Sequence, residues 1–107
     1  MEVKHVFKKP FVFEKKEYKE ISFDTDCITA KMIGNISIMM AKQGLPYVFL
    51  SDLTSHPSVQ RIIAACAKLP IELIEALPSK DYMDLYGQML AFFVKEDSVD
   101  EKESLEQ

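Results

Sequence analysis

Few residues in this chain have the type and spacing that chemistry requires. The two histidines are His5 and His56, and neither lies three or four positions from another metal ligand on a predicted helix. That spacing would place two ligands on one helix face. His56 stands beside Pro57, where a role in capping or in a solvent-exposed turn is expected. The histidines therefore indicate neither a metal site nor a catalytic base.

The two cysteines, Cys27 and Cys66, are far apart and lie in apolar helical patterns. Lys68 is the one charge near Cys66 that could stabilise a thiolate, and no base is evident beside it. Free, buried thiols are predicted in preference to a disulfide, a metal role or a nucleophile.

Paired carboxylates occur at Asp24/Asp26 and at Asp81/Asp84. Positions in helix caps and first turns explain both pairs, whereas a general acid–base pair needs an apolar pocket that separates the two pKa values. The three glycines are too scattered for a phosphate-binding loop. The sequence predicts a protein without enzymatic activity, cofactor or metal.

The length of 107 residues, with 48% hydrophobic and 28% charged residues, is typical of one globular domain. We assign residues 1–94 to that domain and residues 95–107 to a disordered acidic tail, which holds six acidic residues and two lysines. The body has 11 basic and 11 acidic residues, which argues against nucleic-acid binding.

No apolar run approaches the ~20 residues that span a bilayer, and no signal peptide is evident at the N-terminus. We therefore expect no membrane association and a cytoplasmic location.

The first third of the chain alternates between apolar and polar residues, which is typical of half-buried strands. This pattern predicts a hairpin in which roughly residues 6–13 pair with residues 18–23. Its charged tip, Glu14 to Glu17, lacks the Asn-Gly or Asp-Gly of a tight turn. Pro10 cannot donate a ladder hydrogen bond, so it marks an edge position or the start of the strand.

Helical periodicity follows the hairpin. Asp24, Thr25 and Asp26 are candidate caps for a first helix that ends at Gly44. Further helices are predicted around residues 47–53, 57–69, 71–77 and 79–94, with Ser79 as the cap of the last one. The predicted fold class is α+β, with the N-terminal β-hairpin packed on a small bundle of four or five helices.

Six methionines are a surplus for a chain of this size, and most of them lie on helix faces. Such residues either fill irregular gaps in the core or form an adaptable surface for an apolar partner. The adjacent pairs Met39-Met40 and Phe92-Phe93 favour a surface, because neighbouring residues on a helix point about 100° apart. Met39, Met40, Phe92 and Phe93 are the candidate partner-binding residues, with a purely structural role as the alternative. Self-association through the same surface is the other possible use.

The opening segment, residues 7–14 followed by residues 18–23, resembles the start of Mu-like bacteriophage and prophage tail assembly chaperones. Those proteins begin with an apolar residue, a proline, a short strand, a turn, a return strand and an acidic or threonine-containing helix entry. The closing segment, in which residues 79–82 lead to Leu85, Met89 and Phe92-Phe93, is similar to the last helix of the family. The resemblance covers about residues 5–94. It departs at Lys15-Lys16, where a glycine is expected, and over residues 43–58.

The resemblance implies a tail assembly chaperone that binds the tape-measure protein of a phage tail and keeps it soluble during assembly. It would act in the cytoplasm of the bacterial host cell. Two other classes remain open on the sequence: a structural tail component or adaptor of the virion, and a small regulatory, antitoxin-like binding protein.

Overall fold

A computed structural model describes residues 1–45 and 53–95. The strands are β1 (Glu2–Phe13) and β2 (Lys16–Asp24), and the helices are α1 (Ala30–Lys42), α2 (His56–Ala67), α3 (Ile71–Glu75) and α4 (Ser79–Leu90). A 3-10 turn at Thr25–Cys27 precedes α1, and a π-helical turn at Ala91–Lys95 follows α4. The predicted α+β class, a hairpin with helices, is confirmed. The helix predicted around residues 47–53 and the acidic tail lie, except for Leu53 and Lys95, outside the described residues.

The two strands form an antiparallel hairpin whose register runs from Glu2 opposite Asp24 to Phe13 opposite Lys16. The register shifts between Val6 and Phe11, where residues 7–10 of β1 face the single residue Lys19 of β2. Pro10 lies within this irregular stretch, where a residue without an N–H group is tolerated. β1 also begins four residues earlier than the sequence pattern predicted.

The hairpin turn consists of two residues, Glu14 and Lys15, with φ angles of 49° and 67°. Two consecutive positive φ angles are typical of a type I′ turn, which suits the right-handed twist of the strands. Asn-Gly adopts this geometry without strain, whereas residues with a long side chain pay a steric cost in it. The turn is thus tight although its sequence contains none of the usual tight-turn residues.

Replacement of both turn residues, Glu14→Asn with Lys15→Gly, is expected to stabilise the fold by about 1 kcal/mol because it removes left-handed strain. The free energy of unfolding from urea titration measures this gain. Lys19→Gly, in the body of β2, serves as the control and should destabilise by roughly 0.5–1 kcal/mol. A loss of stability in the turn variant would show that Glu14 and Lys15 make contacts that outweigh their strain.

The start of α1 differs from the prediction. Thr29 is the N-cap, and its side chain accepts a hydrogen bond from the Met32 N–H at 3.2 Å. Asp24 instead caps the 3-10 turn by accepting from the Asp26 N–H at 2.9 Å. Gly44, with a φ of 76°, terminates the helix as expected. The 3-10 turn therefore occupies the residues that were predicted to open α1.

Cys27 and Cys66 form a disulfide, so the prediction of free thiols is wrong. Their Cα atoms lie 5.9 Å apart, within the range that a disulfide requires. The bond joins the 3-10 turn after the hairpin to the last turn of α2, and Met32 Sδ of α1 lies 3.9 Å from Cys66 Sγ. Three elements thus meet at the two sulfur atoms.

The core is centred on α2, which contacts α1, α3, α4 and β2. Its residues Val59, Ile62 and Ile63 are fully buried, and the inward face of the hairpin packs against the same cluster. The other buried apolar side chains are Val3, Phe7, Ile21, Phe23, Ile36, Met40, Ala64, Leu73, Ile74, Leu77, Leu85 and Met89. Across the described ranges, no helix combines the length and apolar character needed to traverse a bilayer.

One face of α4 packs on the core. Leu85 and Met89 are buried there, whereas Met83 is 50% exposed. Pro78 is the N-cap, and Ser79 is the first helical residue, so Ser79 does not cap the helix. The remaining polar face of α4 lies against β1 and builds the site described below.

Candidate interaction surface

The side chain of Gln88 fixes α4 to the outer edge of β1. Its Nε2 donates to the Lys4 carbonyl at 2.9 Å, and its Oε1 accepts from the Lys4 N–H at 3.1 Å. Both backbone groups of one strand residue are therefore satisfied by one amide, as a neighbouring strand would satisfy them. This contact covers the N-terminal part of an edge that would otherwise be open to another strand.

Two carboxylates, one and two helical turns before Gln88, hold the ring of His5. Its Nε2 lies 2.7 Å from Asp81 Oδ1, and its Nδ1 lies 2.7 Å from Asp84 Oδ2. The His5 side chain is only 11% exposed. Because both partners are carboxylates, both contacts are hydrogen bonds when the two ring nitrogens donate, as they do in the protonated, imidazolium form of the ring. We name His5, Asp81, Asp84 and Gln88 the β1–α4 clamp.

The clamp changes the titration of His5. Burial is the largest single influence and lowers the pKa, but the hydrogen bonds from Asp84 and Asp81 and their charges together outweigh it, so the pKa of His5 is raised above 6.5. With both ring nitrogens engaged, the ring has no free nitrogen that could accept a proton from another molecule. In residues 1–45 and 53–95, no three His, Cys, Asp or Glu side chains are placed to hold a metal ion.

The clamp is expected to make stability depend on pH. The raised pKa of His5 means that its stabilising contribution is complete below about pH 6.5, the unfolded value, and is lost as the pH rises through the higher folded value. Urea titrations across this range should show wild-type stability falling, and His5→Gln should flatten the fall. Asp84→Asn keeps a hydrogen-bond acceptor but removes a charge, so its dependence should be intermediate. Equal pH profiles for wild type and His5→Gln would contradict the coupling.

Beside the clamp, a groove of about 810 Å³ runs between the outer edge of β1 and the corner before α4. The lining residues are His5, Val6, Lys8, Lys9, Pro10, Phe11, Val12, Pro78, Ser79, Lys80 and Asp81. Three lysines provide positive charge, and proline, valine and phenylalanine side chains provide apolar surface. We name this feature the β1 groove. It suits an extended, acidic segment better than a small polar molecule.

His56 takes part in an aromatic cluster on the opposite part of α4. Its ring centroid lies 4.2 Å from that of Tyr86, and its Nδ1 is hydrogen bonded to the Tyr82 hydroxyl at 2.8 Å. The Tyr86 hydroxyl donates to the Thr54 carbonyl at 2.8 Å. Burial raises the pKa of Tyr82 to about 12. His56 is the first residue of α2, and through these contacts it also joins α2 to α4 at the surface.

The four candidate partner-binding residues lie in different environments. Met39 on α1 is 46% exposed, whereas Met40 is 1% exposed and belongs to the core. Phe92 and Phe93 lie in the π-helical turn, half-buried, with ring centroids 5.1 Å apart. Phe93 packs against the core cluster. Met39 is the most accessible of the four, and Met40 is not part of the free surface.

Sequence reasoning missed a second exposed apolar residue beside Met39. Ile38 is 58% exposed, and Gly34 lies one turn before it on the same side of α1. A Cβ atom added at Gly34 would meet no atom of the described residues within 4 Å. We name Gly34, Ile38 and Met39 the outer α1 face. A helical-wheel analysis that allowed two apolar faces on α1 would have indicated it.

Comparison of the chain with family models, with curated proteins and with solved structures finds no match. The clamp, the β1 groove and the outer α1 face are therefore the features on which a function must be based.

Proposed function

We propose that this chain is a non-enzymatic protein-binding domain that acts as a phage tail assembly chaperone. It would bind apolar helical stripes of the tape-measure protein and keep that protein soluble during tail assembly. The observation that carries the proposal is the pair of exposed apolar side chains, Ile38 and Met39, on the outer α1 face. The resemblance of residues 5–94 to Mu-like chaperones supplies the particular partner.

The chemistry of the outer α1 face suits a helix of variable sequence. Methionine is flexible and adapts to different apolar neighbours. Gly34 leaves a shallow site where the backbone of another helix can approach closely, as small residues do at helix contacts. The glycine is not needed for packing against residues 1–45 and 53–95, because an added Cβ atom would meet none of their atoms there. A role in contact with a partner explains a residue that otherwise weakens α1.

Co-expression with the large, helix-rich protein encoded as the tape measure tests this proposal. Wild type should raise the soluble yield of that protein and co-purify with it, and Ile38→Asp with Met39→Asp should lose both effects. Met83→Asp is the control, since Met83 is 50% exposed but lies on α4, outside both the outer α1 face and the β1 groove. An insoluble partner with wild type would end the chaperone proposal. If the Ile38/Met39 variant bound as well as wild type, the partner would contact another surface of the chain.

Gly34→Ala separates folding from binding. It is expected to stabilise the isolated chain by about 0.5–1 kcal/mol, because alanine restricts the unfolded chain and favours the helix. The same variant should weaken the complex, because the added methyl group occupies the approach site. Urea titration measures the first effect and co-purification the second. Stabilisation with unchanged binding would show that the partner does not approach at Gly34.

A further inference from the structure

We propose that the β1 groove binds the acidic segment of this same chain, residues 96–107. The proposal is independent of the chaperone function, since it concerns the hairpin edge and not the outer α1 face. It would make the groove a binding site that the chain covers itself and that a partner must compete for.

The groove offers positive charge that its own surroundings leave largely uncompensated. Lys8, Lys9 and Lys80 line it, and Asp81 is the only acidic residue in its lining. Asp81 is already bonded to the imidazolium of His5 at 2.7 Å. The lysines are therefore free to attract further carboxylates, and Val6 and Phe11 supply apolar surface in the same lining.

The strand edge within the groove can pair with an extended segment. Gln88 occupies both backbone groups of Lys4, but in the part of the chain that the structure describes no hydrogen bond joins the backbone of residues 6–13 to a helix. An edge of this kind accepts an added strand. Pro10 has no N–H group, so pairing would be interrupted at that residue.

Residues 96–107 have the composition that the groove selects. They contain six acidic residues and one lysine, with Val99 and Leu105 as apolar anchors. Carboxylates would meet the three lysines, and the two anchors would meet the apolar lining. A second copy of β1 is a poorer occupant, because it would bring Lys8 and Lys9 against the same residues of its partner.

The segment is long enough to reach the groove. From Lys80 at the groove to Val94 the chain rises by about 21 Å at the helical 1.5 Å per residue. Twelve extended residues span up to about 40 Å, so the segment can double back along α4. Being part of the same chain, it is present at an effective concentration that reaches the millimolar range for short flexible linkers. Even weak contacts would then keep the groove occupied.

Paramagnetic relaxation in the full-length protein tests the proposal. A nitroxide attached at Ser104→Cys labels one thiol selectively while Cys27 and Cys66 remain bonded. The largest loss of amide signal is expected at Val6, Lys8 and Phe11, with no comparable loss at Ile38 and Met39 on α1. The loss should disappear in about 1 M salt, where the Debye length is about 3 Å.

Charge reversal supplies the control. Lys8→Glu with Lys9→Glu should abolish the signal loss, while Lys31→Glu with Lys42→Glu, on α1, changes the net charge equally and should preserve it. Signal loss spread over the whole surface, or loss unaffected by Lys8→Glu with Lys9→Glu, would overturn the proposal. The last control is a mixture of chains that carry only the nitroxide and chains that carry only the isotope label. Signal loss in the isotope-labelled chains would show binding between copies and would also overturn the proposal.

Discussion

Reduction of the Cys27–Cys66 disulfide is expected to lower the free energy of unfolding by about 3–4 kcal/mol. The bond spans a sequence separation of 39 residues. In the chain-entropy description, closing a loop of that length restricts the unfolded ensemble, and the restriction is lost when the bond is broken. This loss is a large fraction of the roughly 5–15 kcal/mol that stabilises an ordinary domain.

Urea titration with and without a thiol reductant measures the effect, and Cys27→Ser with Cys66→Ser should reproduce the reduced protein without reductant. The double variant treated with reductant is the control, because it has no bond to lose. A change of less than about 0.5 kcal/mol would mean that packing alone holds the 3-10 turn against α2. Reduction should also increase the denaturant dependence if the reduced unfolded state is more expanded.

The disulfide was not predictable from the sequence because nothing local indicates it. Both cysteines were placed in apolar helical patterns, where a buried thiol is the common finding. Cys27 instead ends a 3-10 turn, which redirects the chain before α1 starts. The two sulfur atoms meet because β2 packs on α2, a long-range contact that no spacing rule expresses.

The regular elements were predictable wherever one apolar period dominates. Alternation predicted the hairpin and helical periodicity predicted α2, because each of these elements turns apolar side chains towards the core, among them Val59, Ile62 and Ile63 of α2. The predicted boundaries of the elements were wrong where a residue distant in the sequence makes a contact. Thr25 does not cap α1, because its N–H and its hydroxyl both donate to the Met1 carbonyl, at 2.8 and 3.0 Å. That contact exists only because β1 begins at Glu2.

The candidate site was predictable in part. Asp81 lies in the first turn of α4 as expected, whereas Asp84 lies beyond that turn. Their bonds to His5 join residues 76 and 79 positions apart in the sequence and leave no local pattern. The β1 groove depends on the same packing of α4 against β1. The angle between adjacent residues on a helix indicates that Met39 and Met40 cannot both face the core, but it does not say which of them is exposed. The packing of α1 decides this and buries Met40.

The adjacent residues Met39 and Met40 provide a matched pair that separates stability from binding. Met40→Ala is expected to destabilise the fold by about 2–5 kcal/mol, because it removes a fully buried side chain and leaves a cavity. Met39→Ala, at a position that is 46% exposed, should change stability by less than about 0.5 kcal/mol. The two substitutions have the same chemistry and nearly the same place in the sequence. Their difference therefore measures the orientation of α1 on the core.

Urea titration of both variants checks the stability difference, and Met40→Leu is the volume-conserving control, with an expected cost below about 1.5 kcal/mol. Equal losses in the two alanine variants would mean that α1 packs with a different face on α2.

If the outer α1 face binds the tape-measure protein, Met39→Ala should weaken co-purification while the chain remains as stable as wild type. Met40→Leu should then bind normally, because Met40 contacts the core and reaches a partner only through the position of the helix. A binding defect in Met40→Leu without loss of stability would instead place Met40 in direct contact with the partner, and α1 would have to move away from α2 on binding.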